Sequence, residues 1–263
     1  MNNFSKIGFA VFVSMLVLCA VMERLLPRRE RVAPSSPRWL ANLSLVALST
    51  LIVRILLPFA AVDAAYEAER HQFGLLNLGV MPYPLKFALS IVLLDLLIYF
   101  QHRLFHWSPW LWRLHAIHHT DLDLDASSGV RFHPGEILLS AAIKIAGASL
   151  IGAHFLAVAV FEIILFSTAI FNHSNLALPG FVDAALRWIT VTPDMHRVHH
   201  SPDRDETDSN FGFNLPWWDR LFGTYRAQPR QPHETMTLGL SGARDPETLG
   251  LWSLLARPFK RAA

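Results

Sequence analysis

Gln101–Thr120 reads QHRLFHWSPWLWRLHAIHHT and holds five histidines: His102, His106, His115, His118 and His119. Farther along, His196, His199 and His200 repeat the second spacing, so eight of the 13 histidines fall in three boxes, HxxxH, HxxHH and HxxHH. Neutral imidazole is the commonest metal ligand, and helical residues three and four apart share a face. Each box therefore aims two or three ring nitrogens one way. Eight imidazoles exceed the four ligands of a tetrahedral zinc and suit two metal ions with open positions.

The surrounding residues place these boxes on helices. Ser108 before Pro109 predicts an N-cap with proline at the first helical position, and the new helix is expected to carry His115, His118 and His119 on its inner face. Thr192, Pro193 and Asp194 give the same start signal before the third box, and Pro202 limits that helix.

The chain has 263 residues, 52% of them hydrophobic and 17% charged, against about 25% charged in soluble domains. A formal charge of +2 with no basic, aromatic-interleaved patch argues against a nucleic-acid partner. The one cysteine, Cys19, excludes a disulfide framework or a CxxC zinc site.

The composition predicts an all-α integral membrane protein with four to five membrane helices, one pair forming a short hairpin, under a cytosolic helical cap that carries the histidine boxes. Ile7–Val21 reads as the first span; no small-residue cleavage site follows that would make it a signal peptide. Arg24, Arg28, Arg29, Arg31 and Arg38 then mark a cytoplasmic loop. Trp39–Val62 is the second span, Asp63–Pro84 an outer loop, and Leu85–Phe100 the third span, which returns the chain to the cytoplasmic side where the histidines begin. Ile137–Ile151 and Phe155–Phe171, split by Gly152-Ala153-His154, form the hairpin and bring the third box back to the face of the first two. This gives three regions: membrane spans and basic loop over 1–84, a histidine-box region over 85–225, and a polar tail over 226–263 in which Leu249–Phe259 is a short interfacial helix.

Several acids stand near the boxes. Asp95, Tyr99, His102 and His106 form one helical stripe at 3.6 residues per turn. Asp95 either orients a ligand imidazole or bonds to another helix. Glu136, Glu162 and Asp208 are further candidates for supporting the ligands from outside. His173 shares a stripe with Glu162 and is a ninth candidate ligand. Asp121, Asp123 and Asp125 lack the rest of a calcium loop and read as a solvated acidic segment. His133, before Pro134, reads as a helix-start residue, and His71, His154 and His233 as structural or solvated. There is no HExxH, GxSxG, P-loop or GxGxxG. A membrane zinc metallohydrolase, or a zinc-stabilised structural or lipid-binding membrane protein, would use the same boxes.

In combination and order, DLLIYFQHRLFH (Asp95–His106), HAIHH (His115–His119), RFHPGE (Arg131–Glu136), NHSN (Asn172–Asn175), TPDMHRVHH (Thr192–His200), ETDSNFG (Glu206–Gly212) and WDRLFGTY (Trp218–Tyr225) resemble the fatty acid hydroxylase/sterol desaturase superfamily of integral membrane oxygenases. The resemblance spans Leu85–Tyr225. It implies two iron ions, replaceable by zinc in purified protein, that activate O2 and hydroxylate or desaturate a lipid C–H bond. The ligands it implies are His102, His106, His115, His118, His119, His196, His199 and His200, with His173. Some relatives carry a further histidine where this chain has Ala177. With no fused cytochrome b5 domain, electrons are expected from a separate cytochrome b5-, ferredoxin- or reductase-type donor.

Overall fold

The computed structural model describes residues 2–57, 59–245 and 249–260. Pro58, inside the expected second span, lies outside them. Helix α1 (Asn2–Leu25) runs into the arginine loop, which leads to α2 (Ser35–Leu56). A shorter helix, α3 (Ala61–Arg70), precedes α4 (Tyr83–Trp107) and α5 (Pro109–His115). The hairpin is α6 (Pro134–Ile151) and α7 (Phe155–His173). Five short helices follow: α8 (Gly180–Leu186), α9 (Pro193–His199), α10 (Arg204–Thr207), α11 (Trp217–Leu221) and α12 (Leu251–Ala256). Among the described residues there is no strand, only an isolated bridge between Pro27 and Leu176.

Among the described residues five helices, α1, α2, α4, α6 and α7, are long and apolar enough to cross a membrane. Their outward faces leave Phe9, Val17, Leu51, Ile55, Leu85 and Leu150 uncovered, a surface that a bilayer covers and that water would not tolerate at this extent. The chain is thus an all-helical, multi-pass membrane protein. The hairpin turns on Gly152, which adopts the left-handed φ of 66° that ends α6, and His154 caps the start of α7 by accepting from Leu156 N.

Asp63–Pro84, expected as a loop, contains most of α3. The reason is in its alanines: Ala61, Ala65 and Ala68 recur at helical spacing and are buried, and Ala61 and Ala65 pack with Ala148, Ala153, Val158 and Phe161 of the hairpin and with Leu94 and Ile98 of α4. The second span also begins earlier than expected, at Ser35, and ends at Leu56. In the tail, α12 covers the helices: Leu254 is buried with Ala41, Leu45 and Ile117.

The acidic segment is not solvated. Asp121, Asp123 and Asp125 are all buried, because Arg38 of α2 reaches into them. Its Nε and Nη2 donate to the two Asp121 oxygens at 2.5 and 3.0 Å, and Nη1 donates to Asp125 at 2.8 Å. Asp123 accepts the backbone N–H groups of Val32 and Ala33. Burial works against the Asp121 charge, but Arg38 and Arg131 outweigh it and hold the carboxyl at about 2. Asp125 also caps the 3-10 turn Ala126–Val130. That turn packs so closely on α7 that a Cβ on Gly129 would meet Ala169 O at 2.4 Å.

Removing one partner from such a buried ionic cluster strands the others. Arg38→Met is expected to destabilise the fold by about 3–5 kcal/mol, read by chemical unfolding in detergent. Arg38→Lys keeps the charge but cannot reproduce the fork, so it should recover only part of the loss; full recovery would mean that charge alone matters here.

Candidate metal centre

The rings come from four separate pieces of chain. α4 continues beyond the expected third span and presents His102 and His106 one turn apart near its end. Ser108 ends α4 and starts α5, with Pro109 in the first position, although its hydroxyl makes no cap. The expected continuous helix through the second box stops at His115, and His118–Thr120 is a separate 3-10 turn. Arg131 takes the local acceptors: its Nε donates to Ile117 O at 3.1 Å and its Nη2 to Thr120 Oγ1 at 2.8 Å. The neighbouring rings of His118 and His119 lie at 89° to each other and belong to different groups. α7 delivers His173 at its C-terminus. α9, capped by Thr192 Oγ1 on Met195 N, delivers His196 and His199, and His200 follows.

The structure brings all nine candidate histidines together. His102, His106, His115, His119 and His199 form one group; His118, His173, His196 and His200 form a second, with the ligand atoms of each group within 4.8 Å of one another. All nine are buried. In the first group His115 Nε2 lies 3.1 Å from His102 Nε2 and 3.3 Å from His119 Nε2. In the second, His173 Nε2 lies 2.9 Å from both His118 Nε2 and His196 Nε2 and 3.2 Å from His200 Nε2.

What the outward nitrogens do decides what the inward ones are. His102 Nδ1 donates to Phe211 O at 2.8 Å, His118 Nδ1 to Arg131 O at 3.3 Å, His173 Nδ1 to Ala169 O at 2.6 Å and His199 Nδ1 to Ser209 O at 2.7 Å. A carbonyl only accepts, so each of these Nδ1 atoms carries the proton. His115 Nδ1 lies 2.7 Å from Glu136 and His106 Nδ1 3.2 Å from Asp208, which fix the same tautomer. The Nε2 atoms of these six rings are then bare lone pairs aimed into the two groups, and His106 Nε2 and His199 Nε2 are buried with no partner, as are the Nδ1 atoms of His119, His196 and His200. Lone pairs do not hydrogen-bond to lone pairs. A cation between them satisfies every one, so the donor set fits a metal ion in each group. The electrostatics agree: burial first, and neighbouring imidazoles next, push His118, His119, His196 and His200 well below the ordinary histidine range, and burial takes His199 down to about 3. These depressed values favour the neutral imidazole, the form that ligates.

Two of the four acids singled out in the sequence do not touch the rings. Asp95 accepts from Asn214 Nδ2 at 2.7 Å, Trp218 Nε1 at 2.8 Å and Leu215 N at 3.2 Å; of its two readings, the bond to another segment is the one present. Glu162 pairs with Lys144 across the hairpin at 3.0 Å. His133 caps the start of α6 through Gly135 N. Sequence reasoning missed Asp219. This buried acid accepts Phe211 N at 2.7 Å and Gly212 N at 2.8 Å, and so holds the carbonyl that anchors His102. Burial raises its carboxyl to about 6. It also missed Phe132, stacked on His118 at 4.3 Å, and Asn210, whose left-handed φ of 51° aims the Ser209 and Phe211 carbonyls and whose side chain is tied to Met195 O and Arg226. The signal available was a lone acid between tryptophans and leucine, WWDRLF, which must be buried and therefore bonded.

A family model described as fatty acid hydroxylase matches residues 87–224. Similar proteins include an ornithine lipid hydroxylase, OlsE, of Rhizobium tropici, 28% identical over 257 residues covering 95% of this chain and 75% of that protein. An alkylglycerol monooxygenase of Caenorhabditis elegans is 31% identical over 142 residues, 51% of this chain and 26% of its own. A cholesterol 25-hydroxylase of Rattus norvegicus is 25% identical over 237 residues, 86% of this chain and 75% of its own. No solved structure matches significantly.

Two groups of bare nitrogens predict two metal ions per chain by elemental analysis. His196→Ala touches only the four-imidazole group and should bring the content towards one with helix content unchanged; loss of both ions, or of neither, would contradict two separable groups. Glu136→Gln removes the carboxylate behind His115 and should weaken metal retention by about 10–100-fold in chelator competition.

Proposed function

The chain belongs to the fatty acid hydroxylase family and is an oxidoreductase, and from that premise we propose that its two imidazole groups hold two iron ions and hydroxylate a membrane lipid at an unactivated C–H bond. The observation that carries this reading is the pair of buried imidazole clusters whose Nε2 atoms face one another at about 3 Å. Iron bound there would supply activation of O2 and oxidation of the C–H bond; zinc fits the same nitrogens and would substitute in purified protein without that chemistry. The overall change is one lipid C–H bond, one O2, two electrons and two protons giving one C–OH and one water. Hydroxylation is preferred to desaturation because the relatives are named hydroxylases and monooxygenases.

The chain's own residues do three things in this scheme. Nδ1 anchors fix six of the nine rings so that Nε2 faces inward, which is preorganisation. Glu136 and Asp208 bond to His115 and His106 and add negative charge behind only the five-imidazole group, since the anchors found in the other are backbone carbonyls. The burial of all nine rings excludes water from competing reactions. The region 85–225 is proposed as the catalytic part, with the spans of 1–84 bracing it and 226–263 covering it. The arginine loop between α1 and α2 argues for a cytoplasmic location of the boxes, where a separate one-electron donor of the cytochrome b5, ferredoxin or reductase type would reach them.

The test is lipid mass spectrometry on cells lacking the gene and on cells complemented with it, grown under isotopically labelled O2. A lipid one oxygen heavier, with that oxygen from O2, is expected in the complemented cells. It should vanish with His118→Ala and persist with His71→Ala, whose ring is exposed. Release of head group or acyl chain without O2 would sink the oxygenase reading, and a product lighter by two hydrogens would replace hydroxylation with desaturation.

A further inference from the structure

Between α1 and α2 lies a cavity of about 390 Å³ that the proposed reaction does not use. Its two ends differ in chemistry. One is walled by Leu16, Val17, Ala20 and Val21 of α1 and by Trp39 of α2; the other carries Arg24, Arg31, Ser35 and Ser36, with Glu23 at its base. Val17 and Val21 are exposed on the outward face of α1, so the apolar end opens where lipid lies. Glu23 is buried and fully engaged: Oε1 accepts from Arg31 at 2.7 Å, and Oε2 accepts Ala126 N and Asn175 N at 3.0 and 3.1 Å. One arginine is thereby neutralised and the other is not. Arg24 has no carboxylate or hydrogen-bond partner among the described residues, and Arg31 Nε is buried with none. The two serines likewise make no side-chain hydrogen bond, and the first turn of α2 contains no acid.

We infer that this cavity binds an anionic phospholipid of the leaflet on the arginine-loop side, with its phosphate on Arg24, Arg31 and the two serines and an acyl chain along α1. Net positive charge at the polar end selects an anion, and the apolar wall continuous with the lipid-facing surface selects an amphiphile over a free ion. Through Glu23, the site also touches the backbone just beyond the second histidine box, at Ala126, and just after His173, at Asn175.

The test is native mass spectrometry of the full chain, delipidated in detergent and titrated with phosphatidylglycerol or phosphatidylcholine. One phosphatidylglycerol per chain should be retained in preference to phosphatidylcholine. Arg24→Gln should weaken that retention by about fivefold. Val17→Trp, which fills the apolar end, should abolish it while metal content stays at the wild-type value. Equal retention of both lipids, or no response to either substitution, overturns the assignment. Displacement of the lipid by millimolar inorganic phosphate would mean an ion site only and overturns it as well. None of these readings depends on turnover, so failure of the proposed hydroxylation would leave them intact.

Discussion

Bare imidazole nitrogens facing one another across about 3 Å are repulsive, and nothing in the protein lies between them. His173 Nε2 alone faces His118, His196 and His200. Positive charge between the rings would relieve this, so the fold and any metal held there are one problem. Metal binding of this kind is coupled to folding. The helices gather nine buried imidazoles, and ions held between them would supply the missing charge.

The cost is borne by the outer atoms. Six of the nine rings are held from behind at Nδ1, three of them by the chain after the hairpin. Ser209 O and Phe211 O anchor His199 and His102. They point correctly because Asn210 takes an αL conformation between them and Asp219 grips the amides that follow. Asp95 ties the same loop to α4 through Asn214, Leu215 and Trp218. The two groups are not equivalent as a result. Carboxylates stand behind His115 and His106, whereas the anchored rings of the other group lean on backbone carbonyls alone. An anionic acceptor raises ligand basicity more than a neutral one, so one ion would sit in a more electron-rich field than its neighbour.

The helices were legible because hydrophobic run length and proline punctuation are local properties. So were the boxes, since their spacing is helical. What could not be read was which ring joins which group. His118 and His119 are adjacent in sequence and belong to different groups; the helix stops at His115 and both sit on a 3-10 turn held by Arg131, a contact of which the sequence gives no sign. The acidic segment was misread for a related reason. Three aspartates in five residues look solvated until a guanidinium arrives from α2, and Arg38, 83 residues from Asp121, had already been assigned to the basic loop by its local composition. Asp95 offered two partners with equal local logic, and only the tertiary position of Asn214 and Trp218 separated them.

The reach of Arg38 bears on how much of this chain makes the centre. The family match begins at residue 87, after α1 and α2, which could suggest that those helices are only an anchor. The contacts oppose this. Glu23 of α1 holds the amides of Ala126 and Asn175. Arg38 and Asn42 of α2 hold Asp121, Asp125, Ser127 and Arg131. These residues flank His118, His119 and His173, and Arg131 supplies the carbonyl behind His118. An anchor would need only apolar faces, yet these two helices bury a carboxylate and a guanidinium at considerable desolvation cost. Such groups are retained where geometry must be fixed, and the geometry they fix lies next to the rings. The first two helices are therefore tied to the segments that flank the candidate ligands, even though the family match lies outside them.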